Sequence, residues 1–451
     1  MRLLAVQKTS RAALGALALT LTTGALAGPA LADDHGDGSV VRVYAPHVRP
    51  LATIGGTRVE GGAYGSSFVA KPGRSDRFYG LTDRGPNVDG PDGTKIEPLP
   101  DFQPAIGEFR LKDGKARLVR RIGLAAADGT PYNGRTNPAN PTNETITDLD
   151  GTVLPPSPEG YDPEGLAAMP DGTFWVSDEY GPFITHVDRR GRAIARLSPT
   201  DGSLPRELAE REPNKGMEGL TVTPDGRTLV GIMQAGLNAP DGPKSKNLSA
   251  LRIVTVDLRT RATKEYVYTL HTDGDPTTGV SEISALDDHR FLVDERDGKA
   301  EPGANKLLYE IDLRGATDIG PHSPVPGSSY DPARGGLLVG GENVEDIAGH
   351  SDTADTVANL ADAGITPVSS SVFLDVAGLV SSIDPRGYFF GHDKIEGVAV
   401  LDRGKRLLIS NDNDFGIAGV REQQPPYTLE PKLLPNGRQD DGELLEVRTG
   451  R

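Results

Sequence analysis

The chain has 451 residues, with 56 glycines, 36 prolines, no cysteine, 5% aromatic side chains and a formal net charge of −16. That charge argues against nucleic acid as a partner, and the missing cysteines exclude a disulfide framework. The glycine and proline content, with no long amphipathic helical pattern, predicts a turn-rich all-β chain.

In chain order, residues 1–32 read as a secretory signal. Arg2, Lys8 and Arg11 precede the apolar run Ala12 to Ala27, and Ala30-Leu31-Ala32 supplies small residues for cleavage after Ala32. No later segment approaches 18 apolar residues, so the mature protein is expected to be secreted and extracellular, monomeric and without a membrane span. Residues 33–451 read as one domain. After a polar start at 33–39, Val40 to Tyr44 is a predicted strand, and Glu443 to Arg448 is its predicted partner at the far end.

A loose first unit covers roughly 50–124, where Tyr64-Gly65-Ser66 leads to Phe78 through Arg84. Residues 125–160, rich in proline and asparagine, form an insertion loop. The clearest unit follows. Glu164-Gly165-Leu166, a Pro170-Asp171-Gly172 turn, and Thr173 to Val176 ending in Ser177-Asp178-Glu179 predict a β-hairpin. The pattern returns as Lys215 to Leu220 with Pro224-Asp225-Gly226 and Thr228 to Gln234. It returns again as Ser281-Glu282-Ile283 with Phe291 to Arg296, and as Lys394 to Val398 with Leu407 to Asp412. Glu164, Glu218, Glu282 and Glu396 are spaced 54, 64 and 114 residues apart, the last gap being nearly two periods. A degenerate copy is therefore expected near 335–345, and a short helix-like run at Asp355 to Ala363. Strand repeats of this period predict a β-propeller of six blades, closed by the N- and C-terminal strands.

Each hairpin sets a glutamate where its first strand begins and an acid or amide where its second ends. Glu164 is matched with Asp178 and Glu179, Glu218 with Gln234, Glu282 with Asp294 and Glu295, and Glu396 with Asn411 and Asp412. On innermost strands these sets converge at one mouth of a central channel. Two carboxylates 5 Å apart repel by about 3 kcal/mol at an effective dielectric near 20, so the cluster needs protons, basic partners or a metal. Oxygen ligands without cysteine point to Ca²⁺, with Glu164, Asp178, Glu179, Glu218, Glu282, Asp294, Glu396, Asn411 and Asp412 as candidate ligands. Arg84, Lys215, Arg296 and Lys394 are the candidate phosphate clamps. His392, beside Asp393, is a further acid/base candidate with the four glutamates. No G-x-S-x-G, H-E-x-x-H or P-loop motif is present.

The segments GLTDRGPN (80–87), DPEGLA to FWVSDEYGPFI (162–184), KGMEGL (215–220), SEIS to FLVDER (281–296) and KIEGVAV to LLISNDNDFG (394–416) resemble the bacterial phytase-like family, usually labelled "esterase-like activity of phytase". The resemblance covers the mature chain apart from about 325–370. It implies a secreted phosphoesterase, with Glu164, Asp178, Glu179, Glu218, Glu282 and Glu396 at the family's acidic positions. The expected function is hydrolysis of a small-molecule phosphate ester, phytate-like or phosphodiester, by metal-assisted water attack. The alternatives are a Ca²⁺-dependent esterase or lactonase, and a non-catalytic extracellular binding propeller holding a structural ion.

Overall fold

A computed structural model describes residues 34–35, 39–139, 141–238, 242–271, 278–350 and 352–450. The expected signal, residues 1–32, lies outside them.

The repeated hairpins form as their turn chemistry directs. Gly172 and Gly226 adopt φ of 86° and 73°, conformations a side chain resists. Asp171 Oδ1 closes its turn by accepting from the Thr173 backbone N–H at 2.9 Å and the Thr173 hydroxyl at 2.7 Å. The strand after each turn is buried along most of its length, as at Phe174–Asp178 and Thr228–Met233.

Among the described residues, five antiparallel sets of four strands follow in chain order, beside smaller sheets, the first and fifth sets being joined in one nine-stranded sheet. The first holds Ser67–Ala70, Arg77–Leu81, Ala105–Lys112 and Lys115–Gly123. The second holds Pro163–Ala168, Phe174–Asp178, Ile184–Val187 and Ala193–Leu197. The third is Met217–Val222, Thr228–Met233, Ala250–Asp257 and Thr263–Thr269. The fourth is Gly279–Ala285, Arg290–Arg296, Lys306–Asp312 and Ser369–Asp375. The fifth combines Ile395–Leu401, Arg406–Asn411, Leu444–Arg448 and Ser39–His47.

The first strands of these sheets pack side by side in cyclic order, the fifth returning to the first. Apolar cores fill every gap between neighbouring sheets. Tyr79, Ile106 and Val176 lie between first and second, Trp175, Leu220 and Val254 between second and third, and Ile253, Ile283 and Val293 between third and fourth. Leu292, Val398 and Leu407 lie between fourth and fifth, and Phe68, Phe109 and Leu408 between fifth and first. Each sheet thus buries both faces only against its neighbours.

The terminal strands pair as the sequence predicts, from Val40 opposite Arg448 to Tyr44 opposite Leu444. The N-terminal strand also runs parallel to Lys115–Gly123 through Ala45, Pro46 and His47, so the fifth and first sheets are hydrogen-bonded together.

The count of units is corrected. The degenerate copy expected near 335–345 is not a sheet of this kind. Residues 313–368 are an insertion within the fourth sheet, holding the small sheet of Ser329–Asp331, Gly336–Val339 and Glu342–Asn343 and the helices Val344–Ala348 and Thr353–Asp362. The second helix covers the helix-like run read from the sequence. The insertion packs Ile319, Leu337, Val344 and Leu360 against Val267 of the third sheet. The doubled gap between Glu282 and Glu396 is therefore one unit carrying a long insertion. Among the described residues no helix is long and apolar enough to cross a membrane.

The first strands approach so closely that glycine is required. A Cβ on Gly219 would lie 2.5 Å from the Ile283 nitrogen and 2.8 Å from the Glu282 carbonyl carbon, whereas one on Gly298 would meet nothing within 4 Å. Gly219→Ala is therefore expected to destabilise the protein by about 1–3 kcal/mol in urea unfolding, with Gly298→Ala near neutral as the control.

Candidate functional site

The first strands of four sheets share one irregularity. Their register skips between Pro163 and Leu166, Met217 and Gly219, Val280 and Glu282, and Ile395 and Val398. A bulge re-aims the side chain it releases. Counting from Pro163, Met217, Val280 and Ile395, the next residues are Glu164, Glu218, Ser281 and Glu396. The residues after those are Gly165, Gly219, Glu282 and Gly397. Glu282 therefore occupies the glycine position of the other strands, one step out of register with the three glutamates it was grouped with.

Glu164, Glu218 and Glu396 line a cavity of about 330 Å³. From the ends of the second strands come Glu179, Gln234, Arg296 and Asp412, with Asp83 and Arg84 from the first sheet and Lys394 from the approach to the fifth. Asp89, Asp162, Asn214, Asp393, Asp414, Lys95 and Lys432 complete the polar wall. Ten carboxylates face five basic side chains there.

Ligand oxygens of Asp162, Glu164 and Glu179 lie within 4.8 Å of one another, and all three residues are buried. Asp162 is fixed from two sides: its N–H donates to Asp178 Oδ1 at 2.8 Å, and its Oδ1 accepts from the Arg84 N–H at 3.0 Å. The Arg84 guanidinium lies over the Tyr180 ring, 5.1 Å from its centre, with Nε 3.8 Å from Asp162. Across the cavity Arg296 Nη2 donates to Glu396 at 2.5 Å and its Nε to the Ser281 hydroxyl at 2.9 Å. Lys394 reaches Asp414 at 2.6 Å and Asp412 at 3.2 Å, and Lys432 bridges Asp414 at 2.6 Å and Asp393 at 2.7 Å.

Burial, then the charge of neighbouring acids, pushes Glu164, Glu179 and Asp83 well above the usual carboxylate range. Burial and the Glu396 charge lift Glu218 to about 8, and burial and Asp414 lift Asp412 to about 7. Burial opposes ionisation of Asp414, but Lys394 and Lys432 outweigh it and hold that carboxyl below its ordinary value. Glu179 Oε1, Glu218 Oε2, Asn214 Oδ1 and Arg84 Nη1 are buried without a hydrogen-bond partner. Three unpaired acceptor oxygens, one within the carboxylate trio and two from Glu218 and Asn214, fit a hard cation.

Other predicted residues lie outside this lining. Asp178, with its carboxyl at about 7 through burial, accepts from the backbone N–H groups of Asp162, Tyr180 and Gly181 and shapes the turn under the trio. Glu282 lies on the axis, accepting from the Ser67 hydroxyl at 2.5 Å and the Leu220 N–H at 3.2 Å, so it ties the first, third and fourth sheets together. Asp294 is buried beside the Arg296 and Lys306 charges with neither oxygen hydrogen-bonded. Asn411 bonds Asp440 at 3.3 Å and accepts from the Glu443 N–H at 2.7 Å. Lys215 does not line the cavity; its backbone N–H bonds Glu212. For Asp178 and Asn411 the reason is alternation: Glu179 and Asp412 line the cavity, so the residue before each points away.

His392 is also outside the lining. It is fully enclosed, with Nδ1 3.0 Å from Asp440 and Nε2 3.2 Å from Glu443. The Asp440 N–H donates to the Lys432 carbonyl at 2.8 Å, so the histidine holds the segment that carries Lys432. Sequence reasoning passed over Asp162, Asp83, Asp414 and Lys432. The signal for the first three was proximity: each stands within two residues of a residue that was chosen.

A ring of β-sheets with a carboxylate-lined cavity at one end of its axis is the class of protein defined here. The chain belongs to the phytase-like family, described as "esterase-like activity of phytase", whose model matches residues 61–415. An uncharacterized secreted protein of Arthroderma benhamiae is 33% identical over 177 residues, covering 31% of this chain and 35% of that protein. The chain thus spans about a third of the length of this relative. Among solved structures, a protein of unknown function from Bacteroides caccae has a TM-score of 0.28 at 10% identity, covering 75% of this chain and 66% of the other. PorZ, a surface component of the type-IX secretion system of Porphyromonas gingivalis, has a TM-score of 0.33 at 14% identity, covering 80% and 32%. Likenesses this distant fix neither fold nor function.

Burial disfavours the His392 charge, but Asp440 and Glu443 outweigh it and raise the imidazolium to about 9. A raised folded value contributes stability fully present below about pH 6.5 and lost as pH rises through about 9. The native protein is therefore expected to lose roughly 3 kcal/mol more than His392→Gln between pH 7 and pH 10, measured by urea unfolding at each pH.

Proposed function

We propose that this protein is a secreted, Ca²⁺-dependent phosphoric-ester hydrolase built on a five-bladed β-propeller. The observation that carries the reading is the juxtaposition of the Asp162, Glu164 and Glu179 trio with Arg84, Arg296 and Lys394 in one water-accessible cavity. Ten carboxylates against five bases leave the cavity five charges negative when all are ionised. An anionic ester enters such a site only after cations or protons have cancelled that surplus. Asp162, Glu164 and Glu179 would hold Ca²⁺, with Glu218 and Asn214 at its edge. Bound there, the ion supplies charge neutralisation and polarises a phosphoryl oxygen.

The chain's own groups do the rest. Arg84 offers Nη1, which makes no hydrogen bond and lies 3.5 Å from Glu144, to a phosphate oxygen. Arg296 and Lys394 lie on the opposite wall, where their pairing with Glu396, Asp412 and Asp414 holds them in place until a phosphate competes for them. Glu218, with its carboxyl near 8, can take a proton from an attacking water at mildly alkaline pH. Val88, Ile417 and Ala418 are the apolar lining residues, a poor wall for an acyl or aryl ester. That composition favours a compact phosphate ester over the neutral ester or lactone. Glu282, Asp294 and Asn411 serve in this reading as supports of the ring, and His392 as the support of Lys432. Export is part of the proposal and rests on residues 1–32 and the secreted relative.

Phosphate release from phytate by the purified protein is expected to require added calcium and to stop on chelation. Glu164→Gln is expected to lower turnover by at least about 100-fold with an unchanged unfolding midpoint in chelator. Near-normal turnover in that variant, or turnover unaffected by chelator, would overturn the assignment. Calcium must displace protons from Glu164 and Glu179, raised well above the usual carboxylate range, and from Glu218 near 8, so its affinity is expected to climb between pH 6 and pH 9 in calorimetric titration. An affinity flat across that range would remove these carboxyls from the binding site.

A further inference from the structure

The outer part of the first sheet carries charge opposite to that of the whole molecule. Arg77 is the register partner of Arg110, Arg110 of Arg117, and Arg117 of His47 on the N-terminal strand. Register partners share a face of the sheet, so three guanidiniums and an imidazole form one row across four adjacent strands. Like charges set directly opposite one another destabilise a sheet. In a chain of net charge −16, acids were in surplus to relieve them, yet the row is only partly compensated. Glu108 pairs with Lys71 at 2.8 Å and Arg77 at 3.3 Å, and Asp76 with Arg110 at 3.4 Å. Arg117 is exposed and, among the described residues, forms no ion pair. Beside the row an open cleft of about 400 Å³ is lined by Lys71, Arg74, Asp76, Arg77, Glu108 and Arg110. None of these residues lines the axial cavity.

We infer that this row is a binding surface for a linear phosphate-bearing polyanion. Strands are about 4.8 Å apart, so three arginines and a histidine, one per strand, form a line roughly 15 Å long, suited to anionic groups repeating along a chain. Arginine matches phosphate oxygens with paired donors. The row contains no apolar side chain to enter a bilayer, and no Phe, Tyr or Trp ring on which bases would stack. The surface is independent of the hydrolytic reading, because it shares no residue with that site.

The test is binding of a short linear polyphosphate by the full protein in chelator, which keeps phosphate out of the cation-dependent cavity. Native protein is expected to bind, with affinity falling as salt rises, and the double variant Arg110→Glu, Arg117→Glu to bind at least about tenfold more weakly. The variant's urea stability is expected to stay close to that of the native protein, since the reversal exchanges one like-charge pair, 110 with 117, for another while setting opposite charges beside Arg77 and His47; this separates lost binding from lost fold. Absence of binding by the native protein, binding unchanged by the charge reversal, or binding only to phosphatidylglycerol vesicles would each overturn the inference.

Discussion

The site depends on how closely the first strands pass one another around the axis. A Cβ on Gly165 would lie 2.6 Å from Leu220, and one on Gly397 would lie 2.3 Å from the Phe68 nitrogen. Backbones at that separation leave no room for side chains pointing between them. The bulge preceding each glycine turns the glutamate before it toward the cavity instead. The fourth strand is the exception. It carries Glu282 where the others carry glycine, and that carboxyl fills the space at the axis and bonds to the first and third sheets. One such residue completes the packing; a second would have nowhere to go.

The same convergence creates the electrostatic problem that the cavity must solve. At an effective dielectric near 20, neighbouring carboxylates repel by about 3 kcal/mol per pair at 5 Å, and a surplus of several cannot stay ionised unassisted. Two solutions coexist. On one wall lysines and arginines are interleaved with acids, so that Asp414 is held ionised between Lys394 and Lys432. On the other wall burial and the charge of neighbouring acids push the carboxyls of Glu164, Glu179 and Glu218 upward. Ion-paired acids on one wall thus face raised carboxyls on the other.

Much of this was legible in the sequence, and the failures have physical causes. The all-β character, the turns at Asp171-Gly172 and Asp225-Gly226 and the pairing of the terminal strands follow from local pattern. So does the meeting of Glu164, Glu218 and Glu396. Period counting failed at 313–368, because a helical insertion inside a sheet has the length of a missing unit. Glu282 was grouped with the other glutamates because motif matching aligned the letters, whereas the pleat is set by the apolar anchor: Ile283 takes the place of Leu166, Leu220 and Val398, which shifts Glu282 by one residue and turns it to the axis. Asp162 and Lys432 escaped because neither stands on a repeated strand position; tertiary packing alone brings them to the cavity.

The pairing of Ser39–His47 with Leu444–Arg448 joins segments about 400 residues apart. Contacts so distant in sequence close at a large entropic cost and form late. Until the last strand is available, the first and fifth sheets each expose an apolar face, and the edges of the fifth sheet are open to wrong partners. The hydrogen-bonded continuity through Ala45–His47 then acts as a latch: once both ends are seated, pulling out the N-terminal strand breaks pairing in two sheets at once. A fold assembled slowly in this way comes apart slowly too, which gives a protein without disulfides kinetic persistence from topology alone.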